Sequence, residues 1–372
     1  MPMDFLIEAL SQVTYKLVIM WAIGGLLIFL AIKYEMEPAL LLPIGFGAIL
    51  VNIPLSNVIS SGDEVGIISW LYEIGIGTSE ALPILLFIGI GAMIDFEPLI
   101  VNPKLMILGA FAQLGIFLTI ILAALLGFNI NDAASIGIIG AADGPTSILV
   151  ALKLGSKYVG PIMVVAYSYM ALVPIIQPAV IKCITTKKER LIRMEYKGKR
   201  VSKTVKILFP IVITMVSGLI APKSLSLIGF LMFGNLLNEC GVLSTLADTA
   251  KNTLCNLITL LLGITIAFQM QADKFLSTET LMILGLGLFA FVFDTVGGVT
   301  CAKVMNLFSK EKINPMIGAA GISAFPMSAR VVHKMGLKED PTNYLLMHAV
   351  GANVSGQIAS AIVGGLIIGL VL

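Results

Sequence analysis

Apolar runs follow one another almost without pause along this chain, at about residues 17–33, 39–55, 82–96, 105–128, 133–155, 158–182, 205–221, 225–240, 254–270, 281–308, 313–335 and 343–372. A water-soluble fold cannot bury that much apolar surface. With 58% hydrophobic and only 12% charged residues, the chain carries about half the charge of a soluble domain. It reads as an all-α polytopic membrane protein, because helices satisfy every backbone group within their own segment. Several runs fall short of the ~20 residues that cross a bilayer. Others are broken by Gly and Pro, which is tolerated where protein or a water-filled cavity satisfies the freed backbone groups.

Charge is concentrated in one place. Between Lys182 and Lys206 stand ten Lys or Arg, which puts the loop 183–206 in the cytoplasm by the positive-inside rule. A solvated loop or a docking site for a cytosolic partner would account for this charge. The net charge of +2 gives no general basic character that would suggest nucleic acid. The four cysteines, Cys183, Cys240, Cys255 and Cys301, form no CxxC pair and no metal spacing. The start, MPMDFLIEALSQ, lacks the basic region of a cleavable signal peptide. Residues 1–15 read as a short interfacial segment and the first span as retained.

The two halves repeat. Ile44-Gly45-Phe46 returns as Ile228-Gly229-Phe230, and Asn52 as Asn235. Ile107-Leu108-Gly109 returns as Ile283-Leu284-Gly285, and Ile139-Gly140-Ala141-Ala142 as Ile317-Gly318-Ala319-Ala320. The run from Pro145 to Gly155 aligns with that from Pro326 to Gly336. All are offset by about 180 residues. The division is therefore an N-terminal repeat 1–182, a basic linker 183–204 and a C-terminal repeat 205–372. Each half holds six apolar elements, the fifth of them broken (133–155 and 313–335). If that element is a re-entrant hairpin, each half crosses five times. The halves are then inverted repeats, as in many secondary transporters, with both termini outside. If it crosses fully, the repeats are parallel.

Candidate chemistry sits at the breaks. Asp143 lies in Ile139–Ser147, inside an apolar run, and a charge at that depth is costly and rarely kept without a task. Pro145 lacks an N–H and disfavours helix at Gly144. The break frees carbonyls on one side and N–H groups on the other, beside Thr146 and Ser147. Carboxylate, hydroxyl and carbonyl oxygens are hard ligands suited to Na+. The matching break, Gly321–Ser328, has no acid but offers Ser323 and Ser328. Arg330 follows, as an interfacial anchor, an anion clamp or a partner for Asp143. In the last run, Asn353, Gln357 and Ser360 share one helical face, with Ser355 and Gly356 nearby. These serve either helix packing or a site for a cation or a urea-like group. Asp294 lies between aromatic residues and two glycines. Tyr167 and Tyr169 lie in the sixth element. Asp95 and Glu97 meet the interface, and His333 and His348 read as structural. Walker, GxSxG and HExxH motifs are absent, so any uphill transport draws on an ion gradient or on chemistry delivered by another subunit.

Three motifs, Gly140–Ile148 (GAADGPTSI), Asp294–Val299 (DTVGGV) and Ala352–Gly365 (ANVSGQIASAIVGG), occur in this order and spacing. In them the chain resembles the membrane beta subunit of the biotin-dependent sodium-pumping decarboxylases, across nearly its whole length. The resemblance implies an enzyme that decarboxylates carboxybiotin and couples this to Na+ export with consumption of a proton. The carboxybiotin is not attached to this chain; a biotin carrier delivers it after loading by a carboxyltransferase alpha subunit. A small gamma or delta membrane subunit and further copies of the chain complete a complex in the cell inner membrane. Carried onto this sequence, Asp143 is a Na+ ligand and proton carrier, and Tyr169, Asn353 and Ser360 serve catalysis. Thr146, Asn353 and Ser355 join Asp143 around Na+, while Arg330, Ser323 and Gln357 meet carboxybiotin. Some family members use an arginine near the C-terminus. Residues 361–372 hold none, so that role is absent or falls to Arg330. Asp143 binds Na+ only when ionised, and a proton can replace the ion because a buried carboxylate without a cation is expensive. The competing expectation is a stand-alone Na+-coupled transporter of a small organic anion. The length and compact start point to an acyl-CoA system as the decarboxylated substrate.

Overall fold

The computed structural model describes residues 8–62, 64–78, 80–195 and 201–372. The first residues of the expected interfacial segment, and 196–200 of the basic linker, lie outside the described residues. The main helices are α1 (Tyr15–Tyr34), α2 (Pro38–Leu50), α3 (Ala81–Met93), α4 (Leu105–Phe111), α5 (Leu114–Leu125), α6 (Ile130–Gly137), α7 (Gly144–Lys153), α8 (Val159–Ile184) and α9 (Lys187–Arg190). They continue as α10 (Lys203–Ile220), α11 (Leu225–Glu239), α12 (Cys255–Ile266), α13 (Thr278–Phe308), α14 (Met316–Ala319), α15 (Met327–Glu339) and α16 (Leu346–Val371). No β-strand occurs among the described residues.

Among the described residues, seven helical stretches are long and apolar enough to span a membrane, or eight if the bent pair Ile67–Gly77 and Ala81–Met93 is one span. That is fewer than the ten crossings expected from the apolar runs. The difference arises because α2 (13 residues) and α11 (15 residues) fall short of the ~20 residues that cross a bilayer. The spans also differ in what surrounds them. α1 and α10 are largely exposed, whereas α8, α13 and α16 are mostly buried in protein. A helix apolar on all sides has nothing to repel lipid, so its outer face needs no polar stripe.

Close helix contacts depend on glycine. A Cβ on Gly91 would stand 1.8 Å from the Leu231 carbonyl oxygen, and one on Gly234 would stand 2.0 Å from that of Ile88, so α3 and α11 touch backbone to backbone. Small residues are the usual means of close helix approach in lipid, where apolar burial gives little drive.

Hydrogen bonds at the ends of the broken segments organise the middle of the molecule. In the first, Asn131 Nδ2 donates to Leu154 O at 2.9 Å, and Ser156 Oγ donates to Asp132 Oδ1 at 2.7 Å. The start of α6 thus meets the end of α7, next to the Tyr158 end of α8. In the second, Asn314 Nδ2 donates to Arg190 O and Ile192 O (2.9 and 2.8 Å), and Asn343 Nδ2 also reaches Ile192 O at 3.2 Å. Arg190–Glu339 (2.7 Å), Arg193–Asp340 (2.6 Å) and Lys303–Glu189 (3.0 Å) add ion pairs there. These contacts cluster beyond Ile184, at the other end of α8. Each broken segment reaches inward from its own end of α8, and their middles meet where the Ser323 N–H donates to Ala141 O at 3.0 Å.

Candidate functional site

Asp143 stands at that meeting point. The segment α6 tightens into a 3-10 turn over Ile138–Ala141, and Ala142 takes a left-handed conformation (φ 53°) that reverses the chain. Asp143 then caps α7, with Gly144 and Pro145 opening it. Pro costs nothing there, since first-turn N–H groups have no partner within the helix. Thr146 Oγ1 donates to Asp143 Oδ2 at 2.7 Å, and the Thr146 N–H reaches Oδ1 at 3.5 Å. Ser360 Oγ, from α16 in the other half, donates to the same Oδ2 at 3.2 Å. The carboxylate is 4% exposed and lies at a helix N-terminus, where the partial positive charge of the helix favours it. Ser147 Oγ donates to Asp143 O at 2.9 Å, which fixes the capping residue from behind.

The second broken segment supplies the facing wall. A Cβ on Gly356 would stand 2.1 Å from Gly321 O, so α16 lies directly on the unwound stretch. Asn353 Nδ2 donates to Ile322 O (2.7 Å) and Ser328 Oγ (2.9 Å), and the Gln357 side-chain amide donates to Ser323 O. Ser323 Oγ closes the set with a 2.9 Å bond to Gly356 O. These amides satisfy carbonyls that the break leaves without helical partners. Their own oxygens, Asn353 Oδ1 and Gln357 Oε1, are buried and have no hydrogen-bond partner among the described residues. Around Asp143 the structure therefore assembles one carboxylate and two hydroxyls, with two neutral amide oxygens further along α16. That is an oxygen-rich donor set suited to a hard monovalent cation.

Asp143, Thr146 and Ser360 come together as the sequence suggests, with Asn353, Gln357 and Ser323 on the adjoining wall. Ser355 does not join them. Its Oγ donates to Leu105 O (2.9 Å) and Ala352 O (2.6 Å), facing α4. Tyr169 also points elsewhere, donating to Leu284 O of α13 at 2.6 Å. Arg330 is exposed on α15. Burial pushes the Glu37 carboxyl up, and the Arg330 charge draws it down, so the cation acts on that acid.

Residues without an assigned role in the sequence complete the site. The Tyr167 ring lies over Gly144, where a Cβ would be 2.2 Å from Cζ, and Tyr167 is 1% exposed. Gln177 Nε2 holds the second segment by donating to Ala319 O at 2.6 Å. Asp132 is 3% exposed and accepts from Ser156 Oγ and the Lys157 N–H. Asn129 caps α6 and accepts from the Asp132 N–H at 2.8 Å.

Residues 16–371 match the model of the family described as Na+-transporting oxaloacetate decarboxylase beta subunit. The chain belongs to this family. It is 50% identical to methylmalonyl-CoA decarboxylase subunit beta of Veillonella parvula, over 93% of this chain and 91% of that one. It is 45% identical to glutaconyl-CoA decarboxylase subunit beta of Acidaminococcus fermentans, over 99% of both. It is 43% identical to the oxaloacetate decarboxylase beta chain of Klebsiella pneumoniae, over 95% of each. The chain is thus a multi-pass beta subunit of the Na+-transporting decarboxylases, and the reading as a stand-alone anion transporter gives way.

Proposed function

We propose that this subunit decarboxylates carboxybiotin within the membrane complex and exports Na+ through the site at Asp143, a proton being consumed in the reaction. The observation that carries the reading is Asp143 Oδ2, buried where the two broken segments cross and held by Thr146 and Ser360 from opposite halves. Such a carboxylate needs a compensating positive charge. Na+ supplies it while the site is loaded, and a proton supplies it after release. Asn353 and Gln357 present their free oxygens along the ion's route. Ser323 and Gln357, which join the second break to α16, transmit events there to Asp143. Arg330, exposed on the first turn of α15, meets the carboxylate of carboxybiotin, and Tyr169 fixes α8 against α13.

The two broken segments are read as re-entrant hairpins of inverted repeats. Support comes from their feet, which are tied at opposite ends of α8. The basic linker then marks the cytoplasmic side of the cell inner membrane, where a carboxyltransferase alpha subunit and a biotin carrier approach. A small gamma or delta membrane subunit and further copies of this chain complete the assembly. The substrate of the complex is an acyl-CoA, in keeping with the methylmalonyl-CoA and glutaconyl-CoA relatives.

The test is 22Na movement and carboxybiotin loss in proteoliposomes holding the assembled complex. Asp143→Asn is expected to abolish Na+-dependent turnover while the partner still carboxylates its biotin. Pumping by Asp143→Asn at the wild-type rate would sink the proposal.

A further inference from the structure

A second carboxyl lies wholly inside the bundle and takes no part in the site above. Asp294, on α13, is 0% exposed. Its Oδ1 accepts from the Ile116 N–H at 3.3 Å, in the first turn of α5. α4 and α5 form one span of 21 residues that is interrupted between Phe111 and Leu114. Asp294 therefore stands at the N-terminus of the half-helix α5, as Asp143 stands at that of α7. Its other oxygen, Oδ2, has no hydrogen-bond partner among the described residues. That oxygen lies against Gly140, where a Cβ would be only 2.4 Å away, in the 3-10 turn that leads to Asp143. Ala290 Cβ fills the space alongside.

The charged groups nearby do not neutralise it. The helices α4, α5 and α14 and the 3-10 turn contribute no ionisable side chain. From α6 comes Asp132, already bound to Ser156 and Lys157. From α8 come Tyr167 and Tyr169, and α13 itself adds Cys301. Among the described residues no cation faces Oδ2, and Gly140 and Ala290 stand beside it. A bare charge there is costly, and a proton is the smallest group that removes it.

We propose that Asp294 is a second proton-binding site of the membrane domain, loading and releasing a proton at Oδ2 during turnover, separately from Asp143. Oδ1 stays on the α5 amide in both states. Loss of the proton places a second negative charge across the 3-10 turn from Asp143, which strengthens Na+ binding there. Return of the proton weakens it. The coupling rests on the Na+ role proposed for Asp143; the proton site does not.

Infrared difference spectroscopy of the assembled complex in membranes, recorded between acid and alkaline pH without Na+, reads the carboxylic-acid C=O bands directly. The expected result is a titrating acid band that is present in wild type and in Asp143→Asn and missing in Asp294→Asn. Added Na+ should diminish that band in wild type and leave it unchanged in Asp143→Asn. Asparagine still caps α5, so the variant should assemble, with turnover lowered about 10²-fold or more, as for loss of a proton-transferring group. Wild-type turnover in Asp294→Asn, or the same pH-difference spectrum in wild type and Asp294→Asn, would reduce Asp294 to a helix cap and overturn the proposal. If Asp294→Asn fails to assemble, Asp294→Glu decides: a shift in the frequency of the titrating band supports the second site, and an unchanged spectrum refutes it. Pumping by Asp143→Asn would remove the Na+ reading while leaving the band's assignment to Asp294 intact.

Discussion

Gly144→Ala is the sharpest probe of how the break holds Asp143. The added Cβ would stand 2.2 Å from Tyr167 Cζ and 2.5 Å from both Cε atoms, against about 3.5–4.0 Å for carbon atoms at rest. The ring or the backbone must therefore yield by roughly 1.3–1.8 Å. Tyr167 is buried at 1% exposure and has little room, so most of the movement falls on residues 143–145. Overpacking of this kind costs about 1–3 kcal/mol of stability. A shift of about 1 Å in a reacting group can cost about 10²-fold in rate, and Asp143 is the residue moved. The assay is Na+-dependent decarboxylation by the reconstituted complex, alongside thermal unfolding of the subunit. Gly144→Ala should raise the half-saturating Na+ concentration and lower turnover. Combining it with Tyr167→Leu should recover part of the loss, giving a coupling energy of about 0.5–3 kcal/mol. Wild-type Na+ dependence in Gly144→Ala, or strict additivity with Tyr167→Leu, would refute this account of the packing.

Asp132→Ala removes the acceptor for Ser156 Oγ, the Lys157 N–H and Asn129 Nδ2, so thermal unfolding should report a loss of about 1.5–3 kcal/mol. Ser355→Ala should cost about 0.5–1.5 kcal/mol of stability and leave half-saturation by Na+ unchanged, because its hydroxyl faces Leu105; a weakened Na+ response would return Ser355 to the ion's path. The linker should loosen in acid. Hydrogen bonds from Thr342, then the Arg193 pair, hold the Asp340 carboxyl below the usual carboxylate range. Although burial opposes it, Thr186 and Lys303 hold Glu189 low as well. Both groups bind a proton less readily folded than unfolded. Their contribution is complete above the ordinary carboxylate value of about 4 and is lost as pH falls through the lower folded values. Limited proteolysis of the linker across that interval should show accelerating cleavage, and Arg193→Ala with Lys303→Ala should raise cleavage already at neutral pH and flatten its pH dependence.

Asp143 was legible because one carboxylate in a long apolar run has no bland explanation. Its contact with Ser360 was partly legible, since positions 353, 357 and 360 fall on one helical face and must point together. The same periodicity explains Ser355. It lies two positions from Asn353, where residues do not share a face, so Asn353 turned toward the break sends Ser355 toward α4. Tyr167 and Tyr169 divide in the same way: one ring reaches Gly144, and the other hydroxyl reaches Leu284. The path of the broken segments was not legible. Hydropathy measures how apolar a stretch is, not whether it returns. The feet are joined by Asn131–Leu154 and by two asparagines on Ile192, pairings between residues far apart in sequence that no local pattern encodes.

These long-range ties explain why an unwound backbone can persist at membrane depth. Each break frees carbonyls that lipid cannot satisfy. Here Asn353 takes Ile322 O, Gln357 takes Ser323 O, Gln177 takes Ala319 O, and the Ser323 N–H takes Ala141 O. Almost every donor comes from outside the break it serves, and one comes from the opposite break. The two interruptions thus share a hydrogen bond, and Asp143 caps the helix beside that contact. On the Na+ role proposed for Asp143, an ion leaving it would act on the opposite break through this contact, which is what coupling between transport and a distant reaction requires.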